Sequence, residues 1–414
     1  MPPAARRSPL AIYLAAGCIF AALAARSFAL PLRVTELGGN KIQVGLLFSV
    51  LTVTAAGLSL PAGFLTDRFG KRKVLISSIF VGGVSQLGLG ISSSVAPMYL
   101  WQALAGVGGA ASQAALMAAL VDMVPSSKLG RAMGWLTLAF QVGFLVGPST
   151  GGVALQWFDL QTVITASAGL FAVVLVLTLV AVPPSPGIEI GWNIAAPLRQ
   201  ITRQRAFVAA TTGMLGATLL WGTLQAYLPL FAKEQLRLAP AQIGYLIGIQ
   251  AIANGLARIP GGWLVDRMPR RGPIVIVGLA VYAASVAVLP HLSGFWTTTA
   301  LLVASVPLLA TTYLALGVVF TSLSTAESRG VAMGLYGTVL FLGLGAGPAI
   351  FGTVMEHSGY VAGFTACAVL GLALAGVVAL VRRAPAPDRE ATQPQPRAQG
   401  ATEPTWSEKW QADQ

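Results

Sequence analysis

Long apolar runs recur along nearly the whole chain, and no other feature restricts its fold so strongly. Each run holds roughly 18 or more residues, the length that an α-helix needs to cross ~30 Å of hydrocarbon. Only 10% of the residues are charged, and most of these lie between the runs. The sequence therefore predicts an all-α membrane protein with twelve membrane-spanning helices, at about 10–32, 43–65, 74–92, 96–120, 132–157, 162–182, 207–231, 242–264, 274–291, 295–321, 331–355 and 360–381.

The basic residues between the runs are distributed unevenly over the two sides of the predicted membrane. The formal net charge is +12, which by itself is compatible with a nucleic-acid ligand or with membrane orientation. The side away from the termini holds only Arg33, Lys41, Lys233 and Arg237. Cytoplasmic loops of membrane proteins are enriched in arginine and lysine. We therefore predict a multi-pass protein with both termini in the cytoplasm, and we exclude nucleic acid as a partner.

Two features could instead indicate a secreted or metal-binding protein. The first run follows Arg6 and Arg7 and contains the sequence ALAA at 22–25, as a cleaved signal peptide would. Cys18 and Cys367 each lie inside an apolar run, without the spacing of a disulfide framework or a metal site. We expect the first helix to be retained, because it has a counterpart in the repeat described next. We expect the protein to bind neither a metal nor a cofactor.

The two halves of the chain repeat each other at a nearly constant distance along the sequence. The offset between matching residues drifts only from 198 to 200, as in Pro31-Leu32 with Pro229-Leu230, Gln43-Val44-Gly45 with Gln242-Ile243-Gly244, and Gly147-Pro148 with Gly347-Pro348. Six helices per half is an even number, so both halves enter the membrane in the same direction. The repeat therefore predicts two six-helix bundles related by a pseudo-twofold axis along the membrane normal.

This duplication divides the chain into four parts. We expect an N-terminal six-helix bundle at 1–182, a central cytoplasmic loop at 183–206 and a C-terminal six-helix bundle at 207–383. The remaining residues, 384–414, are rich in proline, glutamine and alanine. Such a composition cannot bury enough apolar surface to fold, so we expect a disordered cytoplasmic tail.

The densest charged stretch is GFLTDRFGKRK at 63–73, between the second and third runs, and a related stretch begins at Gly262. Two copies at this spacing resemble the signature in the loop between helices 2 and 3 of major facilitator superfamily (MFS) transporters. Lys71 stands where arginine is usual, and Pro269 replaces a glycine in the second copy. The resemblance covers about residues 9–383 and implies the MFS fold.

The resemblance also implies a cytoplasmic gate that strengthens in the outward-open state. The glycines would allow close helix approach, and we expect Asp122 to be the partner of Arg72. A purely topological anchor would explain the cations, but not the aspartate at the same place in both copies. The predicted gate residues are Gly63, Asp67, Arg68, Gly70, Lys71, Arg72, Asp122, Gly262, Asp266, Arg267 and Arg271.

A glycine-rich pattern in the fifth helix resembles the motif of the drug and metabolite efflux (antiporter) branch of this superfamily. Its glycines reduce the bulk of one helix stripe, and its proline removes a backbone hydrogen bond, so the helix can bend and pack closely. Close packing without any role in antiport is the alternative. The residues of this motif and of its repeat in the eleventh helix are Gly143, Gly147, Pro148, Gly151, Gly152, Gly347 and Pro348.

Proton coupling finds less support in the sequence. Drug antiporters of this family usually carry an arginine four residues before a glycine in helix 4, but this chain has Gln102 before Gly106. A proton relay in a membrane normally needs a buried carboxylate or histidine, and all such residues map to helix ends or loops. Whether protons are exchanged is therefore left open.

Polar groups at membrane depth mark a candidate substrate cavity. Arg26 either faces this cavity, paired with Gln225, or extends to the interface, whereas we expect Arg258 to extend toward the cytoplasmic loop and Asp266. The other groups could equally serve as contacts between helices. The candidate cavity residues are Arg26, Gln102, Gln113, Gln141, Trp221, Gln225, Gln250, Asn254, Tyr313 and Tyr336.

The function expected from these features is secondary transport by alternating access in the bacterial plasma membrane. We expect a monomer, not an enzyme, that exports a small organic molecule, a drug or a metabolite. Without fixed negative charge, the cavity favours a neutral, amphipathic or anionic substrate. One alternative is a facilitator or importer of an organic anion that uses Arg26. Another is a receptor or assembly protein that uses the same scaffold without transporting anything.

Overall fold

The computed structural model describes residues 9–125, 128–184, 195–268, 271–323 and 329–383. Within these ranges the chain consists of helices joined by short connections, and no strand is present, which confirms the all-α prediction. The helices are α1 (Leu10–Glu36), α2 (Lys41–Phe69), α3 (Lys71–Ile91), α4 (Ala96–Met123), α5 (Leu129–Ala154), α6 (Leu160–Ser167), α7 (Gly169–Ala181), α8 (Ala195–Thr202), α9 (Arg205–Glu234), α10 (Pro240–Arg267), α11 (Gly272–Val288), α12 (Phe295–Ser322) and α13 (Arg329–Arg383).

Ten segments of the described chain are long and apolar enough to cross a membrane, and α6 with α7 forms one of them. The last segment contains two crossings, because the backbone of α13 turns at Gly359 with φ 80° and ψ 175°. The helix α10 is a further crossing, although polar side chains such as Gln250 and Asn254 interrupt its apolar sequence. Counting α10 and dividing α13 gives the twelve crossings predicted from the sequence.

The short helix α8 is the one element that the sequence did not predict. It lies within the expected central loop, whose residues 185–194 are outside the described part of the chain. Ile201 of α8 is buried against Ala332 and Leu335 of α13, so α8 packs on the second bundle. The expected disordered tail at 384–414 is also outside the described residues.

The crossings form two bundles, α1 to α7 and α9 to α13. The most extensive contacts between the bundles are those of α2 with α13 and of α5 with α10, and α1 and α2 also contact α9. We call the end at which α2 meets α3 and α10 meets α11 the basic face, and the other end the opposite face. Individual residues end and begin the helices at these faces. At the basic face, Gly70 between α2 and α3 has φ 88°, which favours glycine. At the opposite face, Asn40 caps the start of α2 by accepting a hydrogen bond from the Gln43 backbone N–H at 2.9 Å.

The buried core shows how the bundles meet. Toward the opposite face, one apolar cluster includes residues of both bundles, such as Phe28, Leu47, Tyr227 and Phe364. Toward the basic face, the described residues form separate clusters, one within α1 to α7, one within α9 to α13 and a small one between α8 and α13. The bundles therefore share a core at the opposite face and have separate cores at the basic face, although α2 and α13 still meet at Leu60 and Gly334.

Candidate functional site

The two seams between the bundles repeat the same contact. A Cβ atom on Gly45 of α2 would collide with the Pro348 carbonyl of α13, and a Cβ atom on Gly244 of α10 would collide with the Pro148 carbonyl of α5. Only glycine permits this approach, because the obstacle is backbone. The pairs match at the offsets of the sequence repeat, so the pseudo-twofold symmetry extends to contacts between bundles.

Polar contacts centred on Lys41 hold the opposite face closed. The Lys41 backbone N–H donates to a Glu356 carboxylate oxygen at 2.9 Å, and its ammonium lies 3.6 Å from Glu234 and 4.7 Å from the centre of the Tyr360 ring. The Tyr360 hydroxyl donates to Glu234 at 2.9 Å. The Tyr227 hydroxyl lies 2.9 Å from the carbonyl oxygens of both Lys41 and Pro348 and donates its one hydrogen to either. We call these residues, Lys41, Tyr227, Glu234, Glu356 and Tyr360, the Lys41 clasp.

The predicted gate at the basic face is not closed in this structure. A Cβ atom on Gly63 or Gly262 would meet nothing within 4 Å, so neither glycine lies at a close helix approach. Asp67 is half-buried and Asp266 is exposed, and neither forms a hydrogen bond or ion pair with the described residues. These observations agree with the separate cores at this face.

The charges that follow Gly70 form contacts within the first bundle. Lys71 at the start of α3 pairs with Asp122 near the end of α4. Arg72 instead donates to the Leu179 carbonyl near the end of α7 at 2.7 Å. The partner of Asp122 is thus Lys71 rather than the predicted Arg72, because consecutive helix residues point about 100° apart.

The remaining gate cations lie against aromatic rings or helix ends. The Arg267 guanidinium is 3.4 Å from the centre of the Trp263 ring. Arg68 lies 5.9 Å from the ring centres of both Phe64 and Phe69. The Nε atom of Arg271 is buried and has no hydrogen-bond partner among the described residues. The basic face therefore carries cations that are free to make new contacts if the bundles approach.

A polar cluster bridges the bundles near the middle of the α5–α10 seam. Gln141 of α5 donates to the Asn254 side chain of α10 at 3.0 Å and to the Ala251 carbonyl at 3.4 Å. The Arg258 Nε donates to the same Asn254 oxygen at 3.4 Å. The hydroxyls of Tyr313 and Tyr336 are close enough to the Arg258 guanidinium to interact with it electrostatically. We call Gln141, Asn254, Arg258, Tyr313 and Tyr336 the Arg258 cluster.

The position of Arg258 differs from the sequence expectation. It lies nine residues before the end of α10, about 13 Å from that end, and its contacts are with Asn254 and two tyrosines rather than with Asp266. Four of the ten predicted cavity residues thus come together around an arginine that the sequence interpretation assigned to the interface. The spacing of Asn254 and Arg258, four residues apart on one helix face, was the available signal.

The other predicted cavity residues are buried or half-buried but separate. Arg26 is 4% exposed, and no hydrogen bond or ion pair joins it to the described residues, Gln225 included. The Oε1 atom of Gln102 and the Nε2 atom of Gln250 are buried without a hydrogen-bond partner in the described chain. Gln113 is half-buried, and Trp221 packs near Tyr282 at 6.5 Å between ring centres.

The glycines of the α5 motif serve two different contacts. A Cβ atom on Gly143 or Gly147 would collide with the backbone of α1, and one on Gly152 would collide with the α10 backbone. Gly151 has ordinary space, with Phe28 at 3.6 Å. In the repeat, Gly347 faces the Leu219 carbonyl of α9, as Gly147 faces α1. The motif therefore supports packing within a bundle as well as between bundles.

Comparison with known proteins gives a consistent assignment. The family model of the Major Facilitator Superfamily matches residues 12–239 and 210–412. An uncharacterized MFS-type transporter of Methanocaldococcus jannaschii is 22% identical over 84% of this chain and 90% of its own length. Multidrug resistance protein 2 of Bacillus subtilis is 29% identical over 29% of this chain and 30% of its own length.

A solved structure has the same fold over most of the chain. It is a bacterial homologue of the human lysosomal transporter Spinster, in an inward-facing and occupied conformation, with a TM-score of 0.73 and 16% sequence identity over 91% of this chain and 96% of that one. The family match covers more than half of the sequence, and the helices, seams and repeat agree with it. The chain therefore belongs to the Major Facilitator Superfamily of membrane transporters.

Proposed function

We propose that this protein is a secondary active transporter that exports a small organic molecule by alternating access. The observation that carries the proposal is the hydrogen bond between Gln141 and Asn254, which joins the two bundles near the middle of their helices. A site shared by two bundles changes its exposure when the bundles rock, so a bound molecule can be released on the other side. Relatives named multidrug resistance proteins support export.

The structure fits the inward-facing state of this cycle, with the basic face toward the cytoplasm. The Lys41 clasp closes one side, and the gate around Gly63 and Gly262 is open on the other. The excess of basic residues at the open face supports the orientation with both termini in the cytoplasm of a bacterial plasma membrane. In the outward-facing state, Asp67 and the neighbouring cations would contact the second bundle.

One chain is sufficient for this mechanism, because it contains both bundles. We place them at 1–182 and 207–383, joined by the loop at 183–206, and we propose that the protein acts as a monomer. The seams α2–α13 and α5–α10 already bury the surfaces along which the bundles meet.

The charges at membrane depth support one class of substrate. Within the described residues, no Asp, Glu or His lies in the middle of a spanning helix, whereas Arg26 and Arg258 do. Attraction between opposite charges is stronger in a low-dielectric cavity than in water. The site therefore favours anionic and neutral amphipathic molecules over organic cations, and the tyrosines of the Arg258 cluster offer aromatic surface.

We propose protons as the exchanged ion. In the absence of a carboxylate at mid-helix in the described chain, the proton would bind at a helix end. Glu234 and Glu356 of the Lys41 clasp are carboxylates at such ends, and they join the bundles at the opposite face.

The test is transport by the purified protein in lipid vesicles. A thermal-shift screen of drugs and metabolites first identifies a ligand, whose movement is then followed with an imposed pH gradient and a pH-sensitive dye. We expect the gradient to drive accumulation of the ligand, and addition of the ligand to move protons in the opposite direction. Counterflow that is indifferent to pH would contradict antiport and indicate facilitated diffusion.

A second function, uptake or facilitated diffusion of an organic anion, is favoured by Arg26. This side chain is buried without a partner in the described residues, which is costly for a cation unless a ligand or water compensates it. If the anion binds Arg26, the Arg26→Gln variant loses anion transport, whereas Arg203→Gln, a change of an exposed arginine, keeps it. Unchanged anion affinity in Arg26→Gln would exclude this function.

A further inference from the structure

A second cavity lies outside the central site, on the lipid-facing surface of the first bundle. It is a groove of about 900 Å³ with α1 as its floor and α5 and α6–α7 as its walls. Leu14, Leu138, Val142 and Val146 line it and are 41–50% exposed, so they face the bilayer. No residue of the Arg258 cluster lines this groove. It is therefore distinct from the proposed transport site.

The groove has the length of a lipid chain. Along α1 it extends from Leu10 to Ala25, a rise of about 22 Å. One leaflet contributes roughly half of the ~30 Å hydrocarbon core, about 15 Å. An acyl chain that enters from the basic face therefore fits within the groove. Glycines, which have no side chain to fill the groove, line both sides of it: Gly17 lies in the α1 floor, and Gly143 and Gly147 lie in the α5 wall.

A smaller pocket of about 250 Å³ lies at the basic end of the groove. Lys128 and Arg131 line it, and both side chains are exposed. Tyr13 and Trp135 line both the pocket and the groove, so the two cavities are adjacent. Among the described residues that line the pocket there is no acidic side chain. Two cations thus stand uncompensated where the groove reaches the membrane surface.

We propose that this groove and pocket bind an anionic phospholipid. The phosphate contacts Lys128 and Arg131, and an acyl chain occupies the groove between α5 and α7. Tyrosine and tryptophan are enriched at membrane–water interfaces, which is where this arrangement places Tyr13 and Trp135. Each arginine or lysine near an anionic lipid surface contributes about 1 kcal/mol of attraction. The cations select the headgroup, and the apolar groove fixes the position of the chain.

The experiment compares retention of phosphatidylglycerol and phosphatidylcholine by the purified full-length protein in native mass spectrometry. We expect the wild type to retain phosphatidylglycerol roughly tenfold better, since its net negative charge attracts the two cations, whereas the choline group of phosphatidylcholine neutralises the charge of its phosphate. Lys128→Gln combined with Arg131→Gln should abolish this preference. The matched control, Arg199→Gln combined with Arg203→Gln, removes two exposed cations elsewhere on the basic face and should preserve it.

A third variant tests the groove separately from the charges. Val142→Trp fills the groove from a lipid-facing position, so it should lower retention of both lipids without disturbing the core. Equal retention of the two lipids by the wild type would overturn the proposal, as would a preference that survives loss of both cations. A stable two-chain species that lipid does not dissociate would assign the groove to a second copy and would also overturn it. None of these readouts depends on transport.

Discussion

At the scale of single residues, the two arginines at membrane depth lie in different surroundings. Arg26 has no partner in the described chain, whereas Arg258 donates to Asn254 and lies near two tyrosine hydroxyls. Only the Nε atom of Arg258 is bonded to a described residue, so its terminal nitrogens remain available. A hydrogen bond to a charged group contributes more than one between neutral groups. We therefore expect Arg258 to contact an anionic substrate directly.

The Arg258→Gln variant should bind anions more weakly. A charge-assisted hydrogen bond contributes about 1.5–3 kcal/mol, so affinity should fall roughly tenfold or more. Arg258→Lys keeps the charge and should lose less. The measurement is a thermal-shift titration of the purified protein with salicylate as the anion and salicylamide as its uncharged analogue.

Salicylamide serves as the internal control, because its binding does not depend on a cation. Equal losses for salicylate and salicylamide in Arg258→Gln would show that the change disturbs the cavity as a whole. Salicylate affinity equal to that of the wild type in both variants would remove Arg258 from the site.

Side-chain identity was predictable from the sequence, but side-chain direction was not. Gln141, Asn254, Tyr313 and Tyr336 were named individually, yet their meeting around Arg258 depends on the rotation of four helices about their own axes. The pairing of Lys71 with Asp122 depends on the same kind of detail. A difference of one residue turns a side chain by about 100°, which an apolar pattern with ends uncertain by a few residues does not resolve.

At the scale of secondary-structure elements, glycines determine how closely helices of the two bundles meet. Gly244 of α10 faces the Pro148 carbonyl, whereas Gly262 of the same helix faces open space. Both are helical glycines, so both gain similar helix propensity when replaced by alanine. Comparing alanine substitutions at the two positions therefore separates the effect of the added methyl group on the contact between α10 and α5 from its effect on helix propensity.

Gly244→Ala should destabilise this conformation, because the added methyl group must displace backbone. Overpacking of this kind costs about 1–3 kcal/mol. Gly262→Ala should be neutral or slightly stabilising under the same conditions. The measurement is the midpoint of thermal unfolding in detergent, and a Gly244→Ala midpoint at or above that of Gly262→Ala would contradict the close seam.

The helices themselves were largely predictable, since each spanning helix is a long apolar run. The twelve crossings are present, including α10, whose polar residues weaken its apolar signal. The helix α8 was missed, because its amphipathic pattern covers only about two turns, which is too short to distinguish from a linker. The Lys41 clasp was missed as well, since it joins residues that are far apart in the sequence.

At the scale of the whole molecule, the positions of the buried apolar clusters show at which face the two bundles share a core. One apolar cluster joins the bundles at the opposite face, and no cluster of described residues at the basic face includes both bundles. Rocking of the bundles would reverse this pattern, closing the gate around Gly63 and Gly262 and opening the Lys41 clasp. The sequence repeat predicted the two bundles, but not which of the two faces is closed, because the pattern of the repeat is the same in either case.

The most direct test of alternating access follows both faces at once by pulsed electron paramagnetic resonance. Spin labels are attached by cysteine substitution of Lys73 and Ser322 at the basic face, or of Trp157 and Trp296 at the opposite face. All four positions are exposed, and the free cysteines Cys18 and Cys367 are first replaced by serine. Each pair has one label on each bundle, so its distance reports whether that face is open.

The account predicts that a transported ligand shifts the two distances in opposite directions in a reconstituted membrane. The basic-face pair should populate shorter distances, and the opposite-face pair longer ones. A thermal-shift measurement on each labelled protein verifies that the ligand binds. If the ligand binds while both distances stay unchanged, or while both change in the same direction, the bundles do not rock about a shared site and the proposed mechanism is wrong.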